Sequence, residues 1–360
     1  MNSGRDERLT AVLESAGIDV LLVSELDNVR YLTGYTGSNG LALVGAETRA
    51  FISDFRYLEQ AAEEVHDAFE RHTAPAPHAL IDLIADVLPA GDLRLGFEAD
   101  HVSVHLHERL RELLSERVEL VATEALVEML RAVKDPEEVS RIRAATALAD
   151  ASFERLLREG LVGRTEREVA LALEHDMRER GAPRASFETI VASGAHGALP
   201  HAQPRDVEIR AGELVVIDWG AELEGYCSDC TRTVAAGEVG PEAQEVYELV
   251  RHAQLAGLQA LRGGREAREV DAAARGVIEG ASHGRHFGHG LGHGVGLAVH
   301  EGPRLSPRST DRLRSGNVVT VEPGVYISGS FGVRIEDLAV VTDDGCEILT
   351  SVPKRLIVVA

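Results

Sequence analysis

Short apolar runs punctuated by turn residues mark the first third of the chain. Ile18–Val23 is apolar except for Asp19, is bounded by Gly17 and Ser24, and predicts a buried strand. Leu41–Val44 and Ala50–Ser53 read likewise, and the charged turn Gly45–Arg49 between them predicts a hairpin. His78–Leu88 has helical apolar spacing and stops at Pro89. Leu93–Phe97 and Val118–Val121 predict strands flanking a charged helix, His105–Ser115. Strands and helices alternating in this way predict an α/β layer domain over residues 1–130.

The pattern then changes. Asp135–Glu138 is a helix start, with Asp135 as N-cap and Pro136 at the first helical position, and the helix runs to about Glu159. Thr165 and Glu168 have capping-box spacing and open a second helix to about Arg180. Two more helices fit Pro241–Arg262 and Glu266–Gly280. From Val207 onward the rest is strand-rich: Leu214–Trp219, Cys230–Ala235, Val318–Val321, Val333–Val340 and Leu356–Val359. Residues 131–360 therefore read as an α+β domain, its strands carrying side chains into a cleft between helices.

Composition narrows the function. A chain of 360 residues is near the upper limit for one hydrophobic core, so two domains are expected. Apolar residues at 44% and charged residues at 27% exclude a fibrous or disordered protein. No apolar run approaches the ~18–20 residues that cross a bilayer. The polar start of the chain predicts no export signal. Three cysteines, Cys227, Cys230 and Cys346, are too few for a disulfide scaffold and fit a reducing cytoplasm. A net charge of −22 repels phosphates and anionic lipids, which removes nucleic acid and membranes as partners. Nearly every basic residue is arginine; only Lys134 and Lys354 are lysines.

The candidate chemistry is concentrated in the second domain. Segment 283–300 holds five histidines, His283, His286, His289, His293 and His300, interleaved with glycines. Each glycine costs a helix ~1 kcal/mol against alanine, so the segment predicts tight strand or bulge geometry that lets a ligand approach closely. Imidazole is the commonest metal ligand and a ready acid or base. By itself such a segment is equally readable as a flexible loop with adventitious metal affinity. Carboxylates shift that balance. Asp218 ends an apolar strand, where a charge is costly unless paired or metal-bound. Asp229 follows after a turn at Glu224-Gly225 that could bring both acids to one face. Glu322 comes directly after Val318–Val321, and Glu336 is expected inside the strand Val333–Val340. Any one of them could be a salt-bridged core acid. Four acids with a glycine-flanked histidine make an oxygen-rich pocket for two divalent cations.

The segments IDWGAELEGYCSDCTRT, ASGAHGALPHAQP, HFGHGLGHGVGLAVHEGPRLS, TVEPGVYI and GVRIED resemble the prolidase, aminopeptidase P, creatinase and methionine aminopeptidase family of pita-bread fold. In the first domain NVRYLTGYTGSNG and FRYLEQA resemble the N-terminal domain of prolidases and aminopeptidases P. The resemblance implies metal ligands at Asp218, Asp229, His293, Glu322 and Glu336, with Asp229 and Glu336 bridging two ions. It places auxiliary histidines at His201, His289 and His300, and implies that Arg334 orients the carboxylates. The implied reaction is hydrolysis of Xaa-Pro bonds by hydroxide held between the metals. Glu322 would be the general base, His300 and His201 oxyanion donors, and His289 a substrate-positioning group.

Four carboxylates and an imidazole are hard ligands that favour Mn²⁺, with Co²⁺, Zn²⁺ or iron as alternatives. Family members with this N-terminal domain often form homodimers, and the same state is expected here. Substrates would be short proline-containing peptides. Arg304 resembles the arginine with which short prolidases grip the free carboxylate of a terminal proline, which favours a dipeptidase slightly over an aminopeptidase. Its alternative is a surface arginine. A metal-free creatinase-like C–N hydrolase and a non-catalytic binding protein are rival readings, and five intact ligands disfavour both. Methionine aminopeptidases usually lack the N-terminal domain. The Cys227/Cys230 pair straddles Asp229 and reads as reduced thiols rather than a separate metal knuckle.

Overall fold

The computed structural model describes residues 4–359; the first three residues of the polar N-terminal segment and Ala360 lie outside the described residues. The chain divides between Arg131 and Ala132 into two compact units. The first is built on a mixed six-stranded sheet in the order 70–74, 49–54, 41–45, 20–23, 93–98, 118–123. Leu41–Gly45 and Arg49–Asp54 pair antiparallel across a short turn, the hairpin expected from their apolar runs. Val20–Val23 joins that hairpin antiparallel to Leu93–Glu98, which it pairs in parallel. Every residue of Val20–Val23 is buried, as a continuous apolar run in a central strand requires.

The helices of this unit depart from expectation at several points, Leu26–Thr33 and Leu58–Glu64 among them. His78–Leu88 is not one helix but a 3₁₀ turn, Ile81–Leu83, followed by a single α-turn, Ile84–Val87. An eleven-residue stretch is below the length at which a helix sustains itself, so its apolar residues dock on the sheet in a tighter, broken form. The helix Arg5–Ala16 went unread because of its polar composition. Its signal was the i, i+4 pair Leu9 and Leu13, both buried.

The second unit is laid out in small sheets walled by long helices. Pro136–Glu159 and Glu166–Glu179 both start with complete capping boxes, Asp135 with Glu138 and Thr165 with Glu168. Pro241–Ala260 and Ala267–Gly280 form a second helical pair. One sheet has the order 358–359, 230–236, 213–219, 190–193, and another 301–305, 292–294, 318–321, 337–341, 346–348. The two helical pairs bury separate apolar clusters against these sheets. Among the described residues no helix is long and apolar enough to cross a membrane.

The expected strand Val333–Val340 is in fact two. Phe331–Arg334 closes a hairpin with Gly324–Ile327, and Asp337–Val341 joins the five-stranded sheet. The chain changes sheets at Ile335-Glu336, where the Glu336 N–H donates to the Thr231 carbonyl at 3.0 Å. An alternating apolar pattern does not reveal which sheet a strand joins, so the break was invisible in sequence.

Trp219 is the largest side chain buried under 2 % exposure, and it fastens the strand Glu213–Trp219 to the helix Pro136–Glu159. Its ring stacks on Phe153 at 4.0 Å, and its indole N–H donates to the Ala149 carbonyl at 3.0 Å. Phe153→Ala is expected to destabilise the protein by about 3–5 kcal/mol, because the cavity would open beneath a strand that cannot collapse into it. Urea unfolding followed by tryptophan fluorescence checks this. A loss under about 1 kcal/mol would mean that the helix and strand repack without the stack.

Candidate metal centre

Period-two alternation decides which way each side chain of a strand faces. Trp219 turns into the helical layer, and its neighbour Asp218 therefore turns the other way, onto the wall of a cavity of about 660 Å³. Thr231 pairs directly with Asp218 across the sheet. Asp229 sits just before that partner strand. The connection runs through a two-residue hairpin at Glu224-Gly225, with φ of 50° and 82° and Glu222 opposite Cys227. Positive φ at both turn residues is the twist-matched hairpin geometry, which glycine adopts at no steric cost. The turn expected from sequence thus brings Asp218 and Asp229 to the same cavity.

The other acids arrive from strand ends. Glu322 follows the strand Val318–Val321, and its N–H donates to the Leu291 carbonyl at 2.8 Å. Glu336 occupies the passage between two sheets. Only Asp218 lies within a strand; Asp229, Glu322 and Glu336 lie just outside, which corrects the expectation of Glu336 inside the strand Val333–Val340. A residue beyond the ladder is not bound to its period-two alternation of faces, so its side chain can turn inward from a different direction. His293 lies in the short strand Gly292–Gly294, and the flanking glycines are needed because a Cβ at Gly292 would lie 2.1 Å from the Thr320 carbonyl oxygen.

All five sequence-derived ligands line this one cavity. His293 Nε2 lies 3.5 Å from Asp229 Oδ2 and 3.4 Å from Glu322 Oε1. One ligand atom each from Asp229, His293 and Glu336 lies within 4.8 Å of the others. The His293 Nδ1 faces the Gly294 carbonyl at 3.0 Å, which directs Nε2 at the acids. Burial holds the His293 imidazole down to about 4, so it is the neutral form, the one that ligates, near pH 7.

Four carboxylates share this buried space. Burial first, and then the charge of the neighbouring acids, pushes Asp229 and Glu336 well above the usual carboxylate range. Burial pushes Glu322 up as well, opposed by the Arg334 guanidinium. Divalent cations are the species that reverse this penalty. The fit has a direct sign: Asp218 Oδ1 is buried and has no hydrogen-bond partner, while its Oδ2 accepts from Arg334 at 2.6 Å. Oxygen donors with one imidazole suit a hard or borderline divalent ion.

His201, His289, His300, Arg304 and Arg334 line the same cavity, whereas His283 and His286 do not and instead face each other, Nδ1 to Nδ1, at 3.0 Å. His289 Nδ1 faces the Gly290 carbonyl at 2.8 Å, and its Nε2 lies 3.0 Å from the Tyr326 hydroxyl. Burial and the nearby Arg334 hold it neutral, at about 4. The His300 ring stands 4.4 Å from that of His293, edge to face, and His201 sits exposed on the rim. Arg304 pairs with His293 in the strand register, so its exposed side chain leaves from the strand bordering the ligands. Cys227 and Cys230 are both buried, and the Cys227 thiol donates to the Leu297 carbonyl at 3.6 Å. Burial pushes Cys230 well up, which leaves it inert.

Arg334 orients a carboxylate as the resemblance implied, and three hydroxyls not singled out in the sequence, those of Tyr326, Thr231 and Thr320, complete the support. Arg334 donates to Asp218, to the Tyr326 hydroxyl at 2.9 Å and to Thr231 Oγ1 at 3.0 Å. Thr231 in turn donates to Glu336 Oε2 at 2.7 Å. Thr320 Oγ1 accepts from the His293 N–H and donates to Glu322 Oε1. All three lay inside or beside the quoted motifs, but a buried hydroxyl carries no signal until its partners are known.

Residues 140–343 match the metallopeptidase family M24 model, and residues 5–133 match the creatinase/prolidase N-terminal domain. The Xaa-Pro dipeptidase of Pyrococcus furiosus is 35% identical over 98% of this chain and 99% of its own. A solved Xaa-Pro dipeptidase from Bacillus anthracis covers 100% of both chains at 40% identity and a TM-score of 0.95. A solved X-Pro aminopeptidase from Thermotoga maritima covers 99% of this chain and 100% of its own at 37% identity and a TM-score of 0.90.

Thr231→Val keeps the shape of the residue and removes the hydroxyl between Arg334 and Glu336. It is expected to weaken Mn²⁺ binding about 10- to 100-fold, the usual cost of losing a group that orients a ligand. Calorimetric titration of metal-stripped protein measures the affinity. Wild-type affinity would show that Glu336 is oriented without Thr231.

Proposed function

The chain belongs to metallopeptidase family M24 with a creatinase/prolidase N-terminal domain, and on that premise we propose that it is a metal-dependent peptidase cutting Xaa-Pro bonds. The observation that carries this is the convergence of four carboxylates and one neutral imidazole on a single cavity. The family implies divalent metal ions. Our reading is that two are held by Asp218, Asp229, His293, Glu322 and Glu336, that they are Mn²⁺ with Co²⁺ or Zn²⁺ as substitutes, and that Asp229 and Glu336 are the shared ligands. When bound, the ions would acidify water and polarise the scissile carbonyl.

The protein's own groups account for the rest. Glu322, on the cavity wall beside His293, is read as the general base that takes the proton of the attacking water and passes it to the leaving nitrogen. That nitrogen needs the proton to leave as a neutral amine rather than as an amide anion. His300, on the cavity wall beside His293, donates to the oxygen that gains charge, with His201 as a second donor from the rim. His289 is fixed by Tyr326 and the Gly290 carbonyl and is read as a positioning group for the peptide. We further read the chain as a cytoplasmic homodimer with domains at 1–130 and 131–360.

The relatives carry both dipeptidase and aminopeptidase names, and we favour the dipeptidase. The support is Arg304, an exposed guanidinium on the strand beside the ligands, suited to a terminal carboxylate. Chelation with EDTA is expected to abolish cleavage of Ala-Pro, and Mn²⁺ or Co²⁺ to restore it. Full turnover in protein shown by elemental analysis to be metal-free would sink the metallopeptidase reading and favour the creatinase-like one.

Arg304→Ala should raise KM for Ala-Pro by ~10–100-fold, the worth of a charge-assisted hydrogen bond, with kcat nearly unchanged. Ala-Pro-Ala-Ala, whose carboxylate lies further along, should suffer less. Equal losses on both peptides would make Arg304 structural and move the assignment to an aminopeptidase.

A further inference from the structure

Lysine is nearly absent from this chain: only Lys134 and Lys354 stand among 37 basic residues. Where arginine serves everywhere else, a site that keeps lysine calls for a compact charge. Both lysines pair with a carboxylate that directly follows a cavity residue. Lys354 pairs with Asp337, next to Glu336, and Lys134 pairs with Glu301, next to His300.

The Lys134 pair is the more enclosed. Its Nζ lies 2.9 Å from Glu301 Oε2, with the Lys134 side chain fully buried and that of Glu301 7% exposed. Lys134 is itself held on both sides. Its N–H donates to the Gly316 carbonyl at 2.9 Å, Val133 bridges to Asn317, and the next residue, Asp135, caps the helix Pro136–Glu159. Glu301 spans the turn that carries His300. Its Oε1 accepts from the Ala298 N–H at 3.0 Å, and a Cβ on Gly296 would lie 2.5 Å from its Oε2. Glu301 also opens the strand Glu301–Leu305 and pairs with Gly294. The carboxylate therefore fills the inside of the turn 296–301 and ties it to a fixed point at residue 134.

We infer that Lys134 is a positioning residue for the reaction: through Glu301 it holds the turn that aims His300 into the cavity. This rests on the reading of His300 as an oxyanion donor. A compact ammonium suits a contact to a single carboxylate oxygen of this kind. A donor displaced by about 1 Å can lose a hundredfold in rate, so a tether of this kind acts on kcat more than on substrate binding.

The test is a cycle with Lys134→Met and His300→Ala in the full-length, Mn²⁺-loaded protein. Lys134→Met is expected to lower kcat for Ala-Pro about 10- to 100-fold with KM little changed, and to have under about a twofold effect in the His300→Ala background. The same fold-loss in both backgrounds would overturn the inference, since the lysine would then act on the protein at large. So would wild-type kcat in Lys134→Met. Wild-type kcat in His300→Ala alone would remove His300 from the reaction and the tether's purpose with it. That result is separable from the others because Lys134 is untouched. Lys134→Met takes the ammonium away from a buried carboxylate, so a second variant, Lys134→Met with Glu301→Gln, removes that negative charge as well. It is expected to regain the wild-type Tm while keeping the lowered kcat. Recovery of both together would assign the loss to instability and refute the tether.

Discussion

Four carboxylates cannot share a buried cavity without positive charge, and the second domain is arranged around that constraint. Asp218, Asp229, Glu322 and Glu336 converge on one space in which, among the described residues, Arg334 is the only guanidinium bonded directly to a ligand carboxylate. Arg334 engages one oxygen of Asp218 and leaves the other buried without a partner. One guanidinium cannot balance four acids, so the raised proton affinity of three of them expresses an unmet demand for cations. Metal binding and the stability of this region are then one quantity.

The scaffold meets the demand with strand ends rather than strand interiors. A carboxylate within a ladder shares its face with its neighbours at fixed spacing. Glu322 and Glu336 avoid that by sitting where the chain leaves one sheet, and Asp229 by sitting just before the next begins. Their backbones are still satisfied: Glu322 donates to Leu291 and Glu336 to Thr231. Side chains can thus approach from several directions without orphaned peptide groups. Hydroxyls fill the space between the charges. Thr231 and Thr320 each contact a ligand carboxylate, and each also fixes a second group that bears on the site.

The same economy governs buried charge behind the site. Arg232, fully buried, donates to Asp337, which also accepts from Lys354 and Gln254. Asp150 accepts from the Ser351 N–H and hydroxyl, fastening the segment before the last strand. These contacts hold the backbone on which Glu336 is carried. Losing one partner would leave a charge uncompensated, so such networks favour a single arrangement of the chain.

Local pattern sufficed for much of this molecule. The capped helices at Pro136 and Glu166, the hairpin at Leu41–Asp54 and the turn at Glu224-Gly225 follow from residues a few positions apart. The chemistry was legible too, because acids in apolar strands and histidines among glycines are costly unless used. What local pattern did not contain was the sheet each strand joins. The break at Ile335-Glu336, the broken helix at Ile81–Val87 and the support from Thr231, Thr320 and Tyr326 depend on partners roughly 20 to 100 residues away, whose contacts are set only when the sheets pack. Lys134 is the clearest case. In the sequence it is one of two lysines without evident purpose, and only the folded chain brings it to Glu301, 167 residues on. Residue type and spacing determined what chemistry this protein carries; tertiary packing decided where each group points, because orientation is a property of the partners and not of the residue.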